Sequence, residues 1–206
     1  MLTKNQTPRN PHIWVNRMTI LLARIKSWLY YRHIFHSFGV QSYLLKPLLI
    51  HNPQFISVGE RVSIRQGLRI EAIFDGTRVP FLSIGDDVNI EQNVHIICHS
   101  RLIIGDRVSI TGNCAIVDTT HPHEDIDNAR KIGGSILDDD SYVEIGDGTF
   151  LGFGSVVLPN VTIGKHCVIG ANSTVTENIP DYSIAAGSPA VIISRYDATQ
   201  KRWIKA

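Results

Sequence analysis

The chain has 206 residues, and its 20 Lys and Arg nearly balance 19 Asp and Glu, which leaves a formal net charge of +1. This length fits one domain with a small appendage. Because nucleic-acid binding requires a strongly basic face, the balanced charge gives no reason to expect a nucleic-acid partner.

The N-terminal region is predicted to be helical. Residues 1–11 are polar, contain Pro8 and Pro11, and lack the cleavage pattern of a secretory signal peptide, so we expect a flexible tail there. Residues 12–38 are predicted to form one or two helices that end at Gly39.

The apolar stretch Met18–Tyr31 has two interpretations. It contains Arg24 and Lys26, and it is shorter than the roughly 20 apolar residues that a membrane-spanning helix needs. It suits an amphipathic helix whose stripe includes Ile20, Leu21, Ala23, Ile25, Trp28 and Leu29. Such a helix could associate peripherally with a membrane surface. We favour packing against the protein's own fold or across a subunit contact, because surface helices usually bury their stripe in this way.

Between residues 58 and 175 an aliphatic residue recurs at every sixth position within each of four series. Neither a helix nor an ordinary strand requires this spacing. A chain that winds into a parallel β-helix of triangular cross-section does require it, because each hexad forms one flat side and its aliphatic residue points inward. The series are Val58, Ile64, Ile70; Ile84, Ile90, Ile96; Ile104, Ile110, Ile116; and Ile145, Leu151, Val157, Ile163, Ile169, Val175.

A second inward layer is predicted four residues after each aliphatic position. It holds Val62, Leu68, Val88, Val94, Val108, Cys114, Ser155, Val161, Cys167 and Ser173. Cys114 and Cys167 are therefore expected to be buried, whereas Cys98 lies in an irregular stretch and could be partly exposed. The odd number of cysteines argues against a disulfide framework and fits a reducing cytosol.

Two segments interrupt the repeat. Residues 74–80 contain Asp75-Gly76-Thr77 and suit a turn or a short excursion. The second interruption follows Ile116, and the repeat resumes only near residues 143–145 after a polar, titratable segment. A polar loop of this length in a compact repeat protein is usually functional or disordered, and its histidines favour function.

These patterns divide the chain into three parts. Residues 1–54 form an N-terminal helical cap, residues 55–177 form the β-helix with a loop at about 118–142, and residues 178–206 form a C-terminal cap. Trp203 and Ile204 in the last part suit an amphipathic helix or a strand.

The segment 145–195 resembles the hexapeptide-repeat acyltransferases. It carries Ile169-Gly170-Ala171-Asn172-Ser173-Thr174-Val175-Thr176 and the ending Ala185-Ala186-Gly187-Ser188-Pro189-Ala190, which is the most specific part of the match. The resemblance extends over about residues 55–195. Within this family the chain looks most like the saccharide O-acetyltransferases of polysaccharide and lipopolysaccharide assembly, to which the segment 193–197 is also similar.

The resemblance implies an all-β solenoid, specifically a left-handed parallel β-helix with a projecting catalytic loop. It implies a homotrimer that holds acetyl-CoA between adjacent subunits, requires no metal, and acetylates a hydroxyl of a saccharide acceptor. The location it implies is cytoplasmic, at the inner face of the membrane if the N-terminal helix binds lipid.

The resemblance also assigns catalytic roles. Thr120-His121-Pro122 matches the family's histidine motif, so His121 is the expected general base, a task that suits an imidazole that is mostly neutral at pH 7. Asp118, or alternatively Asp125, is expected to orient the His121 ring through its Nδ1. The backbone N–H of Phe153 is the expected donor to the oxyanion.

Binding residues follow from the same matched positions. The residues expected along the acetyl-CoA cleft are Phe150, Ala171, Thr176, Ala186, Gly187 and Arg195, with Lys201 and Arg202 as alternative partners of the CoA phosphates. Phe150 stands where the family often has Trp, and Glu177 stands where it often has Lys. The expected acceptor-binding residues are Asn93, His123 and Glu71, although Asn93 also suits an edge turn and His123 an exposed position.

Three alternative functions remain open from the sequence. N-acetylation of an amino sugar or an antibiotic would use the same base and donor. A γ-type carbonic anhydrase would need three histidines around zinc, for which His95, His99, His121, His123 and His166 are available. A non-catalytic scaffold would bind no acetyl-CoA.

Overall fold

The computed structural model describes residues 11–123, 131–137 and 140–206. Its body is a coil in which each turn contributes one short strand to each of three sheets. Within the coil, neighbouring strands pair in parallel and in register, so that Val58, Ile84, Ile104, Ile145 and Ile163 lie one above the other. The six-residue spacing of the sequence is therefore the length of one side of the coil.

The strands are assigned to the sheets as follows. The first sheet contains β1 (Ser37–Phe38), β4 (Ile56–Val58), β7 (Phe81–Ile84), β10 (Arg101–Ile104), β13 (Tyr142–Ile145) and β16 (Val161–Ile163). The second contains β2 (Tyr43–Leu44), β5 (Ser63–Ile64), β8 (Asn89–Ile90), β11 (Ser109–Ile110), β14 (Phe150–Leu151), β17 (Val168–Ile169), β19 (Ser183–Gly187), β20 (Ala190–Asp197) and β21 (Arg202–Lys205). The third contains β3 (Leu49–His51), β6 (Arg69–Ala72), β9 (His95–Cys98), β12 (Ala115–Val117), β15 (Val156–Val157) and β18 (Thr174–Val175).

The core is a column of stacked aliphatic side chains inside the three sheets. Every hexad position named from the sequence is at most 2% exposed, and the second inward layer is buried as predicted. Cys114 and Cys167 are buried free thiols, which confirms the prediction for both. The expectation for Cys98 is wrong: it ends β9 with its side chain in the core, and burial raises the pKa of its thiol.

The coil turns at three corners, and the first two are tight. The first corner joins the first sheet to the second, and the second corner joins the second sheet to the third. At the second corner one residue per turn has a positive φ: Lys46, Gly67, Asn93, Asn113, Gly154 and Asn172. At the first corner Gly-Asp pairs repeat, and the Asp147 carboxylate accepts a hydrogen bond from the backbone N–H of Asp106 at 3.1 Å. This contact needs Gly105, because a Cβ there would lie 2.4 Å from Asp147 Oδ1.

The N-terminal region differs from the sequence prediction in two ways. The helix comprises α1 (Pro11–Lys26), a π-helical turn (Ser27–Tyr31) and α2 (Arg32–Ile34), and it ends before Gly39. The coil begins at β1, well before residue 55, because the first turn has short strands that lack the regular hexad series.

The apolar stripe of α1 is not packed against the coil, contrary to the first of the two placements favoured above. The other placement, across a subunit contact, stays a prediction. Ala23, Ser27 and Tyr31 face the body and are buried, whereas most of the predicted stripe is exposed. In the described part of the chain, no helix is both long and apolar enough to cross a membrane.

The C-terminal region extends the second sheet. Ile179 forms a parallel bridge to Ile163, and Asn178 accepts a hydrogen bond from the N–H of Thr162 at 2.7 Å. The chain then forms β19, β20 and β21, which pair antiparallel to one another. Trp203 and Ile204 lie on β21, so the strand alternative holds for this segment.

Candidate active site

Both interruptions of the repeat leave the coil at the third corner, where the third sheet turns back into the first. One interruption follows β6 and the other follows β12, and two complete turns of the coil, β7–β9 and β10–β12, lie between them. Together they border a cleft of about 540 Å³. Its polar lining includes Arg69, Asp75, His99, Thr119, His121 and Ser135.

His121 lies in this cleft with an exposed side chain. Its Nδ1 is 2.6 Å from the carbonyl oxygen of Ser135. Because a carbonyl oxygen can only accept a hydrogen bond, Nδ1 carries the proton, and the lone pair of the neutral ring lies on Nε2. The structure therefore presents His121 as a ring with a fixed tautomer and a basic nitrogen that can accept a proton.

The far side of the loop supplies this contact. A 3₁₀ turn, Ile132–Gly134, precedes Ser135, and the N–H of Leu137 donates to the carbonyl oxygen of Thr120 at 2.8 Å. Residues 120–121 are thus hydrogen-bonded to residues 135–137 across the loop, once through the His121 ring and once through the backbone. Backbone hydrogen bonds of this kind orient a ring without a charged partner.

Asp118 has a different role from the one expected. Its carboxylate is fully buried and accepts hydrogen bonds from the backbone N–H groups of His99, Ser100 and Arg101 at 2.7–2.9 Å. Asp118 therefore stabilises the third corner of the preceding turn of the coil, between β9 and β10. The carbonyl of Ser135 occupies the position at His121 Nδ1 that Asp118 was expected to fill. Burial raises the pKa of Asp118, while the three N–H donors oppose this change. The alternative, Asp125, lies outside the described residues.

A second histidine in the cleft, His99, is paired with a carboxylate. His99 is 1% exposed, and its Nε2 lies 3.1 Å from Oδ2 of Asp75. Hydrogen bonds from Thr77 and Arg78, together with His99, hold the pKa of Asp75 below its ordinary range, so the carboxylate is ionised and accepts the proton of Nε2. The remaining ring nitrogen, Nδ1, is buried without a partner among the residues that the structure describes.

The pairing of His99 with Asp75 was missed at the sequence level. Asp75 was interpreted only as a turn residue, and His99 only as one of several histidines available to zinc. The six-residue repeat could have predicted the pairing, because the residues that follow β6, β9 and β12 must all lie at the same corner.

Two of the proposed acceptor residues lie at or beside the cleft. Glu71, on β6, forms an ion pair with Arg69, which lines the cleft. His123 is exposed, and its Nδ1 donates to the carbonyl oxygen of His121 at 3.0 Å. Asn93 lies elsewhere: it is an exposed residue with φ 57° at the second corner, so one protomer does not bring it to His121.

The residues expected along the acetyl-CoA cleft lie mostly on the second corner and on the second sheet. Phe153 and Ala171 are stacked at that corner, where the carbonyl of Phe153 accepts from the N–H of Asn172 at 2.8 Å. Ala186 and Gly187 continue the column, and the Gly187 N–H donates to Ser173 Oγ at 3.0 Å. In the described chain the N–H of Phe153 makes no hydrogen bond, so it is available as a donor.

The other proposed cofactor contacts are exposed. Phe150 on β14 and Arg195 on β20 belong to the second sheet, as does Arg202 on β21, which Lys201 precedes. Thr176 instead follows β18 of the third sheet, so it lies at the third corner, two turns along the coil from the residues that follow β12. Because the third sheet separates the second corner from the third, one protomer keeps the residues of the second corner apart from His121. A complete site of this kind would require two protomers.

Of the histidines considered for zinc, His99 and His121 line the cleft and His123 lies beside it, whereas the other two lie elsewhere. His95 lies on β9, and His166 lies at the first corner, stacked on Tyr182 at 5.4 Å between ring centroids. Within residues 11–123, 131–137 and 140–206, no three His, Cys, Asp or Glu side chains are grouped closely enough to hold a metal ion.

Comparison with known proteins places the chain in a family. Residues 142–177 match the family described as bacterial transferase hexapeptide (six repeats). The chain is 35% identical over 164 residues to WbbJ of Escherichia coli K12, named a lipopolysaccharide biosynthesis O-acetyltransferase, with 78% of this chain and 82% of the relative covered. It is 33% identical over 138 residues to a galactoside O-acetyltransferase of Lactococcus lactis, covering 67% of this chain and 62% of the relative.

A solved structure supports the fold. A point mutant of AntD, an N-acyltransferase from Bacillus cereus in complex with dTDP and coenzyme A, superposes with a TM-score of 0.68 at 19% identity, covering 84% of this chain and 90% of that one. At this identity the likeness concerns the fold alone. The repeat match and the E. coli relative together show that the chain belongs to the hexapeptide-repeat acyltransferase family, on its saccharide O-acetyltransferase branch.

Proposed function

We propose that the protein transfers the acetyl group of acetyl-CoA to a hydroxyl of a saccharide, with His121 as general base. The observation that carries this proposal is the hydrogen bond from His121 Nδ1 to the Ser135 carbonyl, because it leaves Nε2 as the proton acceptor. Family membership supports the acyl-transfer class, and the names of the E. coli and L. lactis relatives support a saccharide acceptor.

The proposed chemistry needs few protein groups. His121 Nε2 removes the proton from the acceptor hydroxyl as its oxygen attacks the thioester carbonyl. The N–H of Phe153 donates to the oxyanion that forms, a contribution worth roughly 2.7–4 kcal/mol where such a donor has been removed. The C–S bond then breaks, and the proton held by His121 goes to the leaving thiolate, so that the products are the ester and free CoA.

Assembly into a homotrimer of left-handed coils completes the proposed site. His121 projects from the third corner, whereas the N–H of Phe153 and the small residues Ala171 and Gly187 lie at the second corner. A neighbouring subunit would bring one corner to the other, and small residues would allow the pantetheine arm to approach the backbone closely. Arg195 is exposed and could pair with a phosphate at the outer end.

The test is acetyl-CoA turnover, measured as release of free thiol, across a panel of sugars that includes amino sugars. Replacing the base in His121→Ala should reduce kcat by about 10²–10⁴-fold on a responsive sugar, the usual contribution of a general base. His166→Ala is the control, because His166 is an exposed histidine at the first corner, away from the cleft. Full activity of His121→Ala, or thiol release only with amino sugars, would contradict the proposal.

A further inference from the structure

We propose that α1 and the π-helical turn after it form a docking surface for the face of an anionic phospholipid bilayer. The side chains opposite the buried face form an exposed apolar stripe along these helical turns: Trp14, Met18, Leu21, Leu22, Ile25, Trp28 and Leu29. Their spacings of three and four residues place them on one side of the helix.

The stripe faces away from the protein. Ala23, Ser27 and Tyr31 recur every four residues and form the buried side, so the apolar side chains point in the opposite direction. Residues 11–19 are exposed all around. An amphipathic helix that uses a narrow face to hold its own protein and leaves a broad apolar face outward has the geometry of an interfacial helix.

The charge around the stripe identifies the occupant. The first acidic residue of the chain is Glu60, and the segment before it carries Lys4, Arg9, Arg17, Arg24, Lys26, Arg32 and Lys46. Arg17 and Arg24 lie along one edge of the stripe and Lys26 along the other. A negatively charged lipid surface complements this arrangement, because basic side chains can reach headgroups while the apolar stripe enters the acyl boundary.

The same charges disfavour a second copy of this helix as the occupant. Two stripes packed on each other would bring Arg17, Arg24 and Lys26 close to their counterparts, and the segment offers no carboxylate to pair with them. The aromatic residues agree with a lipid interface, since Trp14 and Trp28 are exposed at the two ends of the stripe. Tryptophan is enriched at the level of lipid headgroups.

A cleft of about 290 Å³ beside the stripe suits a phosphate headgroup. Arg24 and Arg32 line it, and neither has an acidic partner in the described part of the chain. Each guanidinium lies over an aromatic ring, with Arg24 5.7 Å from the ring of Tyr43 and Arg32 5.7 Å from that of Trp28. Ser27 also lines the cleft, is 2% exposed, and its Oγ lacks a partner among the described residues.

Vesicle flotation of the full chain tests this proposal. We expect the protein to float with vesicles of phosphatidylglycerol and phosphatidylcholine, and to float much less with phosphatidylcholine alone. Raising the salt should release it, because the Debye length falls from about 10 Å at 0.1 M to about 3 Å at 1 M. Equal flotation with both vesicle types, or none with either, would overturn the proposal.

Two variants with the same change of charge separate the stripe from general electrostatics. Leu22 is 60% exposed on the stripe, and Val79 is 64% exposed on the excursion between β6 and β7. Leu22→Glu should reduce binding to anionic vesicles by about tenfold or more, whereas Val79→Glu should bind like the wild type. Sedimentation velocity of both variants supplies the second readout. If Leu22→Glu alters the oligomeric state, another subunit covers the stripe and the lipid proposal is wrong.

Discussion

At the scale of single residues, the cleft holds two histidines whose rings are fixed by different kinds of acceptor. His121 donates to a neutral carbonyl, and His99 donates to the ionised carboxylate of Asp75. The carbonyl fixes the tautomer of His121 without adding a charge beside it. The carboxylate fixes His99, which is buried, whereas His121 is exposed in the same cleft. We therefore interpret His99 as a positioning residue of the acceptor side, with Asp75 holding its ring.

Asp75→Asn isolates the contact to His99. Asparagine retains the Oδ1 acceptor for the N–H groups of Thr77 and Arg78, so the turn should survive, and only the carboxylate at His99 Nε2 is lost. We expect the KM for the acceptor to rise several-fold with little change in kcat, because His121 keeps its contact with Ser135. Steady-state kinetics would distinguish this result from a general loss of folded enzyme, which lowers kcat alone.

The same substitution makes a prediction about pH. The folded state holds the pKa of Asp75 below its ordinary value of 3.8, chiefly through hydrogen bonds from Thr77, so ionisation of Asp75 stabilises the fold. This stabilisation is complete above that value and is lost as the pH falls below it. The difference in Tm between wild type and Asp75→Asn should therefore narrow as the pH falls below 3.8.

At the scale of elements, the tight turns of the first corner depend on glycine. Gly105→Ala would place a Cβ 2.4 Å from Asp147 Oδ1 and 2.9 Å from the Asp147 backbone N, in a stack that has no space to relax. We expect a loss of about 1–3 kcal/mol in the free energy of unfolding, the usual cost of overpacking. Gly133→Ala is the control, because nothing lies within 4 Å of its added Cβ. Urea denaturation of both variants measures the difference, and equal stabilities would contradict this account.

The elements also show where sequence patterns are informative. The hexad series predicted the core correctly, and all of its positions are buried. The prediction succeeds because every side of the coil must place an inward-facing residue at the same six-residue spacing. The start of the coil was placed too late, because β1–β3 are short and their side chains are less regular. The exposure of the α1 stripe could not be predicted either, since an apolar periodicity identifies a face and not its partner.

The candidate site was predictable only in part for a similar reason. The histidine motif is local in sequence, so it could be matched directly to His121. The acceptor at Nδ1 is the backbone carbonyl of Ser135, across the loop. Because every residue has a backbone carbonyl, the sequence does not indicate which one accepts this hydrogen bond. Asp118 was the nearer along the chain of the two carboxylates considered, but its side chain folds back onto the preceding turn.

At the scale of the whole molecule, the separation of the second and third corners has a testable consequence. If the base comes from one subunit and the cofactor face from the next, two inactive variants should restore activity when they share a trimer. His121→Ala removes the base. Ala171→Trp, at an exposed position of the second corner, should block the cofactor face without disturbing the core.

Joint refolding of equal amounts of these two variants should give about a quarter of wild-type activity, because one interface in four pairs an intact base with an intact cofactor face when subunits mix at random. Each variant refolded alone is the control and should remain inactive. Mixing the folded variants without refolding should give no recovery if the trimers do not exchange subunits. Absence of recovery after joint refolding, with mixed trimers verified by differently tagged subunits, would place base and cofactor face in the same protomer.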